Sequence, residues 1–255
     1  MSFERYSKTM GNNSKDLLPF HGQSFNKGVG GQTAALIRQA GKQLYIPQDD
    51  SLVGAWLFDE GKGLFTRDHS IYRNHGTIVG ADWVADGLDF VDTNSDYINV
   101  DGFVTESQYL TVSVWLASTQ SGINNLLVDG NPVRFICGWN TTTSGTLGLY
   151  SGGWKEFGAA PNDGLWHHII WMADYDKARM YVDGSLVGTE QQMTPIDLKS
   201  ATQFKIGSAY AGDEYYFDGI IHSVFIYNRA LAAEEISNIY NAGMYLTQEH
   251  LEYEI

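Results

Sequence analysis

The chain has 255 residues, 43% of them hydrophobic, with a net charge of −14 and one cysteine. That length fits a single large core plus an appendage; the acidic balance disfavours nucleic acid and anionic membrane as partners, and a lone cysteine excludes an intrachain disulfide. The 28 Gly, 5 Pro and 13% aromatics suit many short strands joined by glycine turns, with little helix.

Residues 1–50 are polar, rich in Gly, Asn, Gln and Ser, and hold six Lys and Arg against four Asp and Glu, so the acidity lies in the rest of the chain. They lack the patterned apolar content to build a core, and read as an arm outside the main domain, extended or briefly helical, that touches neighbouring chains. Within the arm, 33–40 reads as a short helix capped by Thr33 and stopped by Gly41, and 44–47 as a strand. The opening MSFERYSKTMGNNSKDLLPF has no apolar stretch of secretory-signal length, and no segment approaches eighteen consecutive apolar residues. Synthesis in the cytoplasm without membrane insertion is the expectation.

The main domain is expected over 51–243, with strands at 109–117, 165–173, 178–183 and 219–227 distributed over two sheets. Leu165, His167, Ile169 and Trp171 fall on one face of a strand and Trp166, His168, Ile170 and Met172 on the other, the run of a strand covered on both sides. A turn at Asp174 to Lys177 leads into a second strand, and Asp183-Gly184 supplies the positive φ angles of a two-residue hairpin. Cys137, in the run VRFICGW, reads as a buried, inert thiol. A helix over about 233–240 places Ile236, Ile239 and Tyr240 on one face, with Ala232 a weak cap. Residues 244–255 form an acidic tail carrying Leu246, Leu251, Tyr253 and Ile255, which reads as a docking strand.

LVGAWLFDEGKG, DHSIYRNHGTIVGADW, GLDFVDTNSDYINV, LTVSVWLAS, GLWHHIIWMADYDKARMYVDGSLVG, FKIGS and IYNRAL occur in this order. The ordered set resembles the laminin-G-like and pentraxin-like domains of the concanavalin A-like lectin/glucanase superfamily. That resemblance implies an all-β, two-sheet antiparallel jelly-roll sandwich with a short C-terminal helix, serving as a carbohydrate- or protein-binding module.

Glycoside hydrolases on this fold use paired carboxylates, commonly E-x-D-x-x-E on one strand; no such pattern occurs, and Asp89, Asp92, Asp96 and Asp101 straddle a turn. Tandem His167 and His168 diverge across a strand and read, with His222, as packed imidazoles. No catalytic residue is assigned and the chain is read as non-enzymatic. Exposed aromatics that stack on pyranose rings or sit in protein interfaces are sought at Trp139, Tyr150, Trp154, Tyr210, Tyr215 and Tyr216. No cofactor is required; Asp59, Glu60 and Asp68 are the candidate oxygen donors for calcium, and His222-Ser223 stands where related domains carry Asp-Glu. The leading reading is a virion structural protein, a bacteriophage head-decoration, fibre or other surface protein. In it residues 1–50 attach a lectin-like sandwich to other virion subunits, and the protein forms a homo-oligomer and takes a glycan ligand. The rivals are a soluble lectin outside any virus particle and a glycoside hydrolase.

Overall fold

A computed structural model describes residues 24–25, 34–39, 42–47, 49–103, 107–121, 125–131, 135–139, 145–196, 203–208 and 215–248. Among them two antiparallel sheets face each other. One, of nine strands, runs Ser185–Leu186, Lys177–Val182, Trp166–Asp174, Tyr109–Ala117, Gly219–Tyr227, Gly87–Phe90, Asp82–Val84; Gln191–Gln192 pairs with Lys177–Val182, and Leu52–Trp56 with Gly219–Tyr227. The other, of eight, runs Trp154–Ala159, Thr146–Tyr150, Phe135–Trp139, Asn125–Asn131, Gln203–Ile206, Tyr97–Asp101, Gly76–Val79, Phe65–Thr66. The two-sheet sandwich expected from the sequence is present, but the four strands foreseen for two sheets all belong to the nine-stranded one. They pair with one another: Tyr109–Ala117 lies between Trp166–Asp174 and Gly219–Tyr227.

Alternation builds the core. Val112, Val114, Ile169, Trp171, Met180, Val224 and Ile226 of one sheet meet Ile98, Val100, Phe135, Cys137, Leu149 and Ile206 of the other. Asp183 and Gly184 take φ of 50° and 74°, as the hairpin turn requires, and Val182 pairs with Ser185 across it. Cys137 is buried and free of any disulfide.

The helix spans Ala233–Gln248, beyond the Tyr240 at which the sequence reading ended it and into the segment read as a tail strand; Leu246 is helical, and Leu251, Tyr253 and Ile255 lie outside the described residues. Its apolar face, Ile236 and Ile239, packs with Leu231 on Leu52, Ile170, Met172, Phe225 and Tyr227, covering the outer side of the nine-stranded sheet. The weak Ala232 cap is offset by Glu235, whose carboxylate accepts the Ala232 N–H at 2.8 Å.

The helix expected over 33–40 is instead the strand Ala34–Gln39, paired with Lys42–Pro47 so that Ala34 faces Pro47 and Gln39 faces Lys42. Ser24–Phe25 adds a third strand to this small sheet, and Lys42–Pro47 lies against the helix. Alternation of Ala35 and Ile37 with Leu36 and Arg38, closed by Gly41, was the hairpin signal that a helical capping pattern obscured. The other residues of 1–48 lie outside the described set.

Candidate ligand-binding face

The two sheets differ in what lies on their outer sides. The helix packs on that of the nine-stranded sheet; on that of the eight-stranded sheet Ile136 and Lys205 are buried, whereas Phe65 is exposed. A single row of register partners crosses all eight of its strands: Trp154, Tyr150, Ile136, Asp129, Lys205, Asn99, Thr77 and Phe65. Phe135, Cys137, Leu149, Ile98, Val100 and Ile206 point into the core, so their chain neighbours Ile136, Tyr150, Asn99 and Lys205 stand on the opposite face.

The row is aromatic at one end and polar in the middle. Tyr150 and Trp154 meet edge to face with centroids 5.6 Å apart, half-buried, and rest on Ile136 as a cluster separate from the main core. Lys205 lies under Tyr97 with its ammonium 4.4 Å from the ring centroid. Asn99 donates its Nδ2 hydrogen to Asp101 Oδ1 at 2.8 Å. Phe65, 47% exposed, closes the far end against His75. Aromatic surface on the same sheet face as amide and carboxylate groups is the chemistry that takes a sugar, stacking its C–H face and bonding its hydroxyls.

Of the aromatics sought from sequence, Tyr150 and Trp154 are brought together on this face. Trp139 is a correction: it is 0% exposed, packed edge-on to Phe217 at 6.3 Å, because it alternates inward with Phe135 and Cys137 on its strand. Tyr215 is 37% exposed at a positive φ of 66°, and Tyr216 is half-buried; both precede the Gly219–Tyr227 strand of the other sheet and belong to no strand of the row. Tyr210 lies outside the described residues. Lys205, Asn99, Asp101 and Tyr97 were missed, since nothing in one sequence aligns strands so far apart.

Among the calcium candidates, Asp68 is also corrected. It is fully buried, its Oδ1 accepting the Ala55 and Ser70 N–H groups and its Oδ2 the Ser70 hydroxyl and the Asn74 N–H, all at 2.7–2.8 Å. Those bonds use its lone pairs to tie the 68–74 loop to the Leu52–Trp56 strand. Asp59 and Glu60 gather instead with His69. Burial lowers the His69 pKa, against the pull of the Asp59, Glu60 and Asp68 carboxylates.

The histidines are packing groups, as read. His167 lies between Asp183 and Asp163, at 2.7 and 3.1 Å. His168 is buried, hydrogen-bonded to Ser113 at 2.8 Å. His222 Nδ1 is 2.9 Å from the Asp86 carbonyl.

Two antiparallel sheets packed face to face, with one helix on an outer side, define a concanavalin A-like sandwich. Residues 92–237, more than half of the chain, match the family model of the concanavalin A-like lectin/glucanases superfamily, and the protein belongs to that superfamily. No curated protein matches it. Among solved structures it resembles domain 4 of a GH43 extracellular arabinanase from Geobacillus stearothermophilus in complex with arabinotriose, at 19% identity and TM-score 0.60 over 74% of this chain and 98% of that one. It also resembles a Trypanosoma rangeli sialidase in complex with 2,3-difluorosialic acid, at 16% identity and TM-score 0.57 over 78% of this chain and 34% of that one. A third is the binding domain of botulinum neurotoxin DC in complex with SialylT, at 11% identity and TM-score 0.56 over 76% of this chain and 52% of that one. The chain thus spans about a third of the sialidase and half of the toxin domain. At these identities the likeness is one of fold.

Proposed function

We propose that the protein is a non-enzymatic glycan-binding module whose site is the aromatic end of the outer face of the eight-stranded sheet. The Tyr150–Trp154 pair carries this reading: two adjacent rings on the side of the sheet away from the core, in register with Lys205 and Asn99. The superfamily spans lectins and glucanases, so membership alone does not choose between them. The absence of an E-x-D-x-x-E strand from the sequence favours binding over hydrolysis. The arabinotriose bound by one related fold lends support by analogy alone. A glycan array tests it: the account expects retained oligosaccharides without release of reducing sugar, and either silence across the array or sugar release contradicts it.

The wider setting we propose is a virion surface, with residues 1–50 attaching the sandwich to other subunits of the particle in a homo-oligomer. The arm strand Lys42–Pro47 lies on the helix, on the side opposite the glycan face, so attachment and recognition do not compete for one surface. Deleting residues 1–50 is expected to abolish incorporation into particles while the sandwich stays folded; full incorporation of the truncated protein would contradict the arrangement.

A further inference from the structure

Asp59, Glu60 and His69 each offer one ligand atom, and these atoms lie within 4.8 Å of one another. The residues come from two stretches of chain, the turn after the Leu52–Trp56 strand and the loop after Phe65–Thr66. Both are held before any ion arrives. Glu60 accepts the Arg67 N–H at 2.6 Å and lies 3.4 Å from the Thr66 hydroxyl. His69 donates its backbone N–H to the Ala55 carbonyl at 2.7 Å and follows Asp68, which is locked by its four hydrogen bonds.

We propose that Asp59, Glu60 and His69 form a binding site for a divalent first-row transition ion, with zinc as the natural probe. An imidazole nitrogen beside two carboxylates suits zinc and its neighbours, whereas calcium and magnesium take oxygen donors. Three protein ligands leave a fourth tetrahedral position to water or an outside donor. The ion clamps the turn at Asp59 to the edge of the eight-stranded sheet, next to Phe65.

Zinc titration of the full-length protein at neutral pH, followed by calorimetry and thermal unfolding, tests the site. The expected result is one ion bound through these residues, a rise in melting temperature by mass action, and no displacement by excess calcium. His69→Ala and Asp59→Asn are each expected to weaken binding by at least about tenfold, the lower bound for disturbing even an outer-shell partner of a metal ligand. Cobalt substitution is expected to give the visible absorption of a tetrahedral N/O site in the wild type and to lose it in both variants. Three results overturn the proposal: no zinc-dependent stabilisation, equal affinity for calcium, or unchanged zinc binding in folded Asp59→Asn and His69→Ala proteins. Any of these leaves the cluster as a neutral imidazole beside two carboxylates, with no ion to hold.

Discussion

Trp115 and Tyr240 stack with ring centroids 5.8 Å apart and planes 7° from parallel, fixing the C-terminal helix on the outer side of the nine-stranded sheet. His168 lies against the same indole at 5.2 Å, so sheet and helix share one aromatic stack. Gly243, one helical turn beyond Tyr240, sits where an added Cβ would overlap the Trp115 indole. Glycine is here for close approach rather than as a helix stop.

Gly243→Ala sets two effects against each other. Helix propensity favours alanine by about 1 kcal/mol, whereas crowding a packed interface costs about 1–3 kcal/mol. The indole is fully packed, with the Tyr240 and His168 rings both against it, so it has little room to yield. Net destabilisation is expected in urea unfolding, and a more stable variant would show that the helix does not seat on Trp115.

Arg229 joins both ends of the sandwich. It grips Glu235 through two 2.8 Å bonds, reaches Asp49 at 3.2 Å and donates to Ser51 Oγ at 2.8 Å. Burial raises the Glu235 pKa, but hydrogen bonds from Arg229 and the Ala232 N–H more than offset it, and the carboxyl ends below its usual range. Arg229→Met is expected to lower stability by about 1–3 kcal/mol, with Arg229→Lys restoring only part because it lacks the two-pronged fork. Full recovery in the lysine variant would count against the bidentate contact.

Burial holds the His168 pKa down to about 3, from 6.5 in an exposed histidine. Below pH 6.5 the unfolded chain therefore binds a proton that the folded chain refuses until about pH 3, and stability falls as pH drops through that window. The slope approaches about 1.4 kcal/mol per pH unit. His168→Gln, which keeps a polar group near Ser113 without the titration, is expected to flatten the fall between pH 6.5 and 5. Equal falls in both proteins, measured by urea unfolding, would place the acid sensitivity elsewhere.

Asp82 and Asp89 stand directly opposite on paired strands. Burial, then the Asp82 and Asp96 charges, raises the Asp89 pKa. The folded protein therefore takes up this proton more readily than the unfolded chain, and the repulsion sets in as pH rises through the elevated value. Asp82→Asn is expected to gain about 0.2–1 kcal/mol at pH 7 and almost nothing near pH 3. A gain that persists undiminished in acid would contradict the charge argument.

Local signals carried much of the fold. The Asp183-Gly184 turn and the strands Tyr109–Ala117 and Gly219–Tyr227 follow from alternation and turn chemistry alone. Where two local signals competed, the wrong one prevailed: Gly-rich surroundings suggested an exposed Trp139, although period two from Phe135 points it inward, and Thr33 and Gly41 suggested helix caps where Ala34–Gln39 is a strand. The candidate face was legible only at Tyr150 and Trp154, which are adjacent along one hairpin. Its polar middle joins Asp129, Lys205 and Asn99 through pairings of distant segments, a register that tertiary packing decides.

Backbone amide NMR of the isotope-labelled protein, titrated with oligosaccharides retained on the array, tests the central claim most directly. Binding is predicted to shift resonances of Ile136, Tyr150, Trp154, Lys205 and Asn99 as one group, and Trp154→Ala is predicted to abolish the shifts while leaving the core signals of Trp139 and Trp171 in place. Shifts confined to Tyr215 and Tyr216, or shifts that survive unchanged in Trp154→Ala, would contradict a glycan site on the outer face of the eight-stranded sheet.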